Sequence, residues 1–458
     1  MNKDNKIKTK LINKKIFKRT LAAMLTFTVS IGIVACGTDS ERETAINDEK
    51  DIVKSNLKVL NEEHLKNLDD SEYVSEDDVE SVYSEYKKHY IDYTLELYNT
   101  IRKDENIPDG DKINAMISPY SIAVAMGMTS LGARENTKEE IDSFLYGTLG
   151  GENGQKCLSV YTNGLKSYKD VTFSKANSIW FDTDSGIKFN DDYFNNVSNL
   201  YRCELYGTPF TKNTKDDINN WISDKTNDMI NDVIDEIDES CKMVLINAIA
   251  FEASWKEEFE TAYTAQKDFE NSDGENVKVD MMSGDADKYI KVDMSTGFVK
   301  RYKEGYSYVA IRPNDGVSVD EYLASLDGEK LLEMLGGAIE ADVFIDMPKY
   351  SSDSRFELID SMKKMGINQA FCPAADFSGM YTDSCNGLYI GNVIHQTHID
   401  VDEGGTKAAA VTVVEMDENA ACIEENDFFE VNLDRSFIYM IIDDSTNLPI
   451  FFGIVEKL

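Results

Sequence analysis

Asp402-Glu403-Gly404-Gly405-Thr406-Lys407-Ala408-Ala409-Ala410-Val411-Thr412 is the stretch on which the reading of this 458-residue chain turns. By composition it is an Ala/Gly linker between two strands. Its alternation says more. In extended backbone, successive side chains face opposite sides, so Thr406, Ala408, Ala410 and Thr412 share one face, and all are small. Such a face can pass between packed neighbours, while a charge or a proline there would be buried unpaired or would lose a ladder bond. Gly405, just ahead of it, permits the backbone rotation by which the segment would turn inward.

Apolar, β-branched runs bounded by polar turns flank this stretch and recur elsewhere: Met243–Phe251, Ala341–Met347, Leu388–Ile394, Val411–Val414, Ser436–Ile442 and Pro449–Val455. These are expected strands, and Asp443–Asn447 between the last two is a hairpin signature. In the first half Ile91, Leu95, Tyr98 and Ile101 recur at helical spacing. Ser118-Pro119 opens a second helix through Ser121, Ala125, Met128 and Leu131 to Gly132. Helices early and strands late predict an α+β fold.

The N-terminus follows a different logic. Residues 1–35 combine a basic stretch, Lys3 to Arg19, with an apolar run from Leu21 to Ala35, the pattern of an export leader rather than of a folded segment. The run ends in Ile33-Val34-Ala35-Cys36, which resembles the lipobox of bacterial lipoproteins; Cys36 would then carry lipid and begin the mature chain, on the outer face of the cell membrane. An uncleaved membrane anchor is the competing reading, although the run is shorter than the ~20 residues a spanning helix needs. Residues 36–85 read as an acidic tether, with helical spacing around Ile52–Leu68, and residues 86–458 as the folded domain.

Composition limits the partners. Hydrophobic residues make up 42% of the chain, enough for a large core. The net charge of -37 repels nucleic acid and anionic membranes and favours basic partners. Cys36, Cys157, Cys203, Cys241, Cys372, Cys385 and Cys422 show no CxxC pairing, so no disulfide framework is expected; free thiols in an exported protein fit a reducing habitat. His395 and His398 fall on opposite faces of a strand, and no metal site is expected from them. No G-x-S-x-G or other nucleophile signature is found, so the chain is not expected to be an enzyme or to need a cofactor.

A series of segments in fixed order carries a stronger signal. Ile117–Ala123 with Leu131–Thr137 looks like an SPxSI...LGARGNT pattern, and Asn247–Phe251 with Trp255 and Phe259 looks like NAxxFxxxW. Ile218–Ile222, Met281-Met282, Met347–Tyr350, Ala375–Gly379, His395–His398 and Pro449–Gly453 complete the set. Together these resemble the serpin family over residues 86–458.

The resemblance implies a fold of three β-sheets with eight or nine helices, held metastable, and an exposed reactive loop at about 403–434. Glu403, Gly405, Thr406, Ala408, Ala409, Ala410 and Thr412 would form the hinge of an inhibitory member. Ser118, Ser121, Asn247, Trp255 and His395 would control opening of the main sheet. Family spacing from Glu403 sets the cleaved bond at Asn419-Ala420, with Ala421, Cys422 and Ile423 as alternatives because the stretch onward to Phe437 is long.

The expected partner is a serine or cysteine protease held as a covalent complex by a monomeric inhibitor. The absence of Lys or Arg from Asn419–Ile423 favours an elastase-like or subtilisin-like target over a trypsin-like one. A non-inhibitory serpin scaffold that binds a surface ligand is the alternative.

Overall fold

A computed structural model describes residues 26–36, 59–68, 74–226, 230, 233–238, 240–382, 388–406 and 428–458. In chain order the elements are β1 (Thr26–Cys36), α1 (Glu62–Asn67), α2 (Glu80–Arg102), β2 (Met116–Ile117), α3 (Pro119–Gly132), α4 (Glu135–Tyr146), α5 (Gly150–Gly164), β3 (Val171–Asp182), α6 (Asp191–Tyr201), β4 (Glu204–Thr208), α7 (Thr214–Lys225), β5 (Cys241–Ser254), β6 (Thr264–Glu270), β7 (Asn276–Val292), β8 (Ser295–Arg301) and β9 (Tyr306–Pro313). They continue with α8 (Val319–Ser325), α9 (Gly328–Gly336), β10 (Ile339–Pro348), β11 (Tyr350–Glu357), α10 (Ile359–Lys364), β12 (Leu388–Val401), β13 (Gly405–Thr406), β14 (Phe428–Asn432), β15 (Phe437–Asp443) and β16 (Pro449–Val455). Val411–Val414, the reactive bond and the hinge beyond Thr406 lie outside the described residues.

The main sheet runs β11-β12-β1-β5-β3-β4, with β13 on the end of β5. The second runs β14-β10-β7-β8-β9-β15-β16-β2, with β6 also on β7. The 17-residue β7 serves two layers: Asn276–Met282 pair β6, Met281–Tyr289 pair β10, and the last five residues pair β8. The three sheets implied by the resemblance are therefore one separate sheet and two that share β7. Among the described residues about ten helices surround them, a mixed α+β architecture.

The main core lies between the sheets and is lined by one face of β5 (Met243, Leu245, Ile249, Phe251) together with α2, α3 and β15–β16. The opposite face of β5 (Val244, Ile246, Ala248) packs under Ile218, Trp221 and Ile222 of α7. Both faces of this strand are thus buried, which explains its near-continuous apolar sequence. Ser118 caps α3 by accepting from the Ser121 N–H, and Pro119 occupies the first turn, where no donor is lost. Two distant motifs meet here: the Arg134 N–H donates to the Asp376 carbonyl, and the Gly379 N–H to the Gly132 carbonyl.

The N-terminal segment departs from expectation. Thr26–Cys36, read as leader outside the fold, is a central strand of the main sheet, antiparallel to β5 on one side and to β12 on the other. An apolar run of β-branched residues meets the demands of a buried strand as well as those of a leader, so sequence pattern alone does not separate the two. Within the expected tether, a helix at Glu62–Asn67 is docked: Asn61 Nδ2 donates to Ser198 Oγ (2.7 Å) and to the Cys203 carbonyl (2.8 Å), while Ile52–Lys58 of the expected helical stretch lie outside the described residues. The first long helix begins at Glu80, ahead of residue 86.

Candidate functional site

The polypeptide leaves β12 at Val401 and turns through Asp402–Gly405 at the top of the main sheet. Asp402 Oδ1 accepts from the Gly404 N–H (2.8 Å), and the Asp402 N–H donates to the Gly405 carbonyl (3.1 Å). Gly405 has φ +150°, and a Cβ there would lie 2.2 Å from the Ala253 carbonyl oxygen. No other residue fits this approach, because only glycine brings backbone against backbone at that distance.

Gly405 pairs with Ser254 and Thr406 with Ala253, so these two residues extend the main sheet. Thr406 is fully buried, its hydroxyl 2.5 Å from that of Tyr302. Tyr302 stacks on Trp255 with ring centroids 4.6 Å apart, and Trp255 Nε1 donates to the Asp402 carbonyl at 2.9 Å. Lys300 caps this stack, 5.7 Å from the Trp255 ring centre and 4.4 Å from that of Phe259; burial pushes its pKa down to about 8.

Glu403 is held from two sides, by Lys349 Nζ at 2.7 Å and by the Thr264 hydroxyl at 2.8 Å. Burial opposes its charge, yet these partners outweigh it and hold the carboxyl below its ordinary value. Lys349 sits where β10 passes into β11, so the bridge ties the hinge to the neighbouring sheet.

A second cluster lies midway down the sheet. The Ser118 N–H donates to His395 Nε2 (3.0 Å), Ser121 Oγ to Asn247 Oδ1 (2.5 Å) and Asn247 Nδ2 to Asn177 Oδ1 (2.7 Å). Ser118, Ser121, Asn247 and His395 are fully buried, and desolvation drives His395 down to about 3, so it is neutral at physiological pH. The cluster joins α3 to β12, β5 and β3; β12 and β5 are the strands on either side of β1. Asn177 and Tyr302 were missed in the sequence; both lie outside the motifs, and neither stands out by type.

His398 faces away from this cluster, 2.7 Å from Asp353 and 3.0 Å from Asp400. Cys157, Cys203, Cys241 and Cys372 are free thiols. Cys36 is the last residue of β1.

β5 and β12 run parallel to each other, β1 lies between them antiparallel to both, and Gly405–Thr406 pair with β5 just beyond the Thr26 end of β1.

Comparison with known proteins agrees. The family described as Serpin (serine protease inhibitor) matches residues 88–458. Iripin-1 of Ixodes ricinus is 30% identical over 383 residues, 80% of this chain and 93% of its own length. An uncharacterized serpin-like protein of Methanosarcina acetivorans is 30% identical over 388 residues, 80% of this chain and 86% of its own. Among solved structures, a thermophilic serpin, Tengpin, in the native state superposes with a TM-score of 0.72 at 34% identity, covering 82% of this chain and 94% of that one. Human thyroxine-binding globulin in complex with thyroxine gives 0.70 at 25% identity over 82% and 99%. With the family model matched over residues 88–458 and a relative 30% identical over most of both chains, this chain belongs to the serpin family.

Proposed function

We propose that this chain, from a family of protease inhibitors, inhibits serine or cysteine proteases of elastase-like or subtilisin-like specificity by strand insertion. The target's own nucleophile attacks the loop at Asn419-Ala420, forming an acyl-enzyme on Asn419 and releasing the new amino terminus at Ala420. The freed loop then enters the main sheet and draws the bound enzyme away from the top of the molecule before the ester is hydrolysed.

The observation that carries this reading is the seated hinge: Gly405 and Thr406 are paired with β5, and the residues that follow, Lys407 to Thr412, keep small side chains on the face of Thr406. The length of the slot supports the same bond. Phe251, the partner of Thr26, lies two residues beyond Ala253, the partner of Thr406, so inserted Ala408 would occupy the register position of Thr26. Continuing residue by residue, the position of Cys36 would fall to Glu418, and Asn419 would come just past the last pair.

The export reading belongs to the same proposal: Cys36 carries lipid, and residues 37–79 hold the inhibitor at the outer face of the membrane. Incubation with elastase-like, subtilisin-like and cysteine proteases tests the function. An SDS-stable complex is expected, with a released fragment whose mass begins at Ala420. Cutting of the loop with no complex from any processed form would favour the non-inhibitory scaffold instead.

A further inference from the structure

The slot that a serpin's loop must enter is filled here by the chain's own N-terminus. β1 pairs with β5 from Thr26↔Phe251 to Ala35↔Cys241 and with β12 from Phe27↔His398 to Cys36↔Leu388. It continues the line of β13 in the same direction, with Glu252 alone between the partners of Thr406 and Thr26. Ser30 stands opposite Asn247 on one side and His395 on the other, at the level of the buried polar cluster.

Resting on the inhibitory reading above, we propose that the slot between β5 and β12 is a binding site for the leader segment Thr26–Cys36, that the unprocessed chain is thereby closed to its own loop, and that removal of residues 1–35 arms the inhibitor.

The two candidate occupants have matching patterns. Thr26, Thr28, Ser30 and Gly32 stand at the register positions of Ala408, Ala410, Thr412 and Val414, and in both segments the residues on this face are small or β-branched. A hydroxyl residue, Ser30 or Thr412, falls at the level of Asn247 and His395 in each case. On the alternate positions the leader has Phe27, Val29, Ile31 and Ile33, where the loop has Ala409, Val411, Val413 and Glu415.

Their partners on β5 are Ala250, Ala248, Ile246 and Val244, all fully buried, the last three under α7. Backbone ladder bonds are the same for either occupant, so the more apolar strand holds the slot. The loop's Glu415 would bring a carboxylate to the position of Ile33.

The processing signal and the strand share an end. Cleavage between Ala35 and Cys36 removes all but the final residue of β1, so a chain processed before it folds has no leader to fill the slot. A chain that folds unprocessed is inert toward proteases, and its cleavage bond is then withdrawn into the sheet, with Ala35 paired to Cys241 and Cys36 to Leu388.

The experiment compares three forms: the full chain, the chain beginning at Cys36, and the full chain carrying Ile31→Pro, which removes a ladder donor from the centre of β1. Each is titrated with an elastase-like protease that cuts the loop, and amide exchange is followed in β5 and β12. The full chain is expected to be cut without an SDS-stable complex. The other two are expected to form it with at least a tenfold lower ratio of inhibitor consumed per protease trapped, and to exchange faster at Val244–Ile249. Synthetic peptide 26–36 added to the Cys36 form should restore both properties of the full chain.

Equal trapping by the full chain and the Cys36 form overturns the proposal, as does equal exchange in the full chain and Ile31→Pro. Failure of the inhibitory reading looks different: no form traps protease, while exchange still separates the full chain from Ile31→Pro; that result overturns the arming step.

Discussion

Thr406→Arg, made in the chain beginning at Cys36, puts the insertion mechanism to its most direct test. Thr406 is fully buried against the Tyr302 hydroxyl, within a stack that already holds the buried Lys300 amine. Seating a guanidinium there loses a hydroxyl bond, about 1 kcal/mol, and buries a charge beside another of the same sign, about 3–5 kcal/mol. If about 3 kcal/mol of this appears in the barrier to insertion, entry of the loop slows by about 150-fold. Hydrolysis of the acyl-enzyme is untouched by the change, so the balance between trapping and turnover shifts by the same factor. Titration of protease activity against inhibitor, with SDS gels of the products, reads this shift. The turnover-to-trapping ratio, which is the inhibitor consumed per protease trapped minus one, should rise by about two orders of magnitude, whereas Thr406→Ser should stay near the parent. A Thr406→Arg variant whose turnover-to-trapping ratio is within twofold of the parent would refute insertion through this position.

Asn247→Ala should cost about 2–4 kcal/mol, because the Ser121 hydroxyl and the Asn177 amide lose their partner in a fully buried setting; thermal melts of parent and variant measure it. Lys349→Met should lower stability by about 1 kcal/mol at neutral pH by breaking the partly exposed bridge to Glu403. Since Glu403 has a depressed folded pKa, the bridge contributes above the ordinary value of 4.5 and is lost as pH falls through the folded value, so parent and variant should converge in acid. His398 behaves in the opposite sense: burial opposes its charge, but Asp353 and Asp400 outweigh burial and raise its pKa to about 9. Its contribution is complete below about pH 6.5 and disappears as pH rises through about 9, and His398→Asn should flatten the melting temperature across that window. Cys36→Ser should abolish incorporation of a labelled fatty acid in the native host, and continued labelling would exclude lipid attachment at that residue.

Much of this architecture could be read from residue pattern where local and global demands agree. Pro449–Val455 is a strand between the expected limits, and Pro119–Gly132 is a helix from its cap to its glycine, because burial and end chemistry point the same way. β3 was missed: Ser174, Lys175, Asn177 and Ser178 interrupt its apolar run, yet their polar groups serve the interior, as in the Asn177 amide bonds to Asn247 and to the Tyr201 carbonyl. β6 and β7 were missed because charged residues such as Lys267, Asp268, Lys278, Asp280, Asp285, Asp287 and Lys288 break up their apolar positions.

Of the site, the residues inside motifs were found by resemblance. Lys349 was quoted within a motif with no role assigned, since a bridge from Lys349 to Glu403 joins positions far apart in sequence. Thr26–Cys36 was legible as apolar and β-branched; which surface it would choose was not, because the slot exists only once β5 and β12 stand apart in the folded sheet.

The length of β5 sets a mechanical stroke. Its 14 residues span about 45 Å at the rise of a β-strand. Cargo bonded to the trailing end of an inserting segment would be hauled that far, more than the ~30 Å diameter of a small domain. Shortening the stroke by deleting two loop residues would leave the cargo pressed against the lower rim at a different height, so the force on it is programmed by residue count.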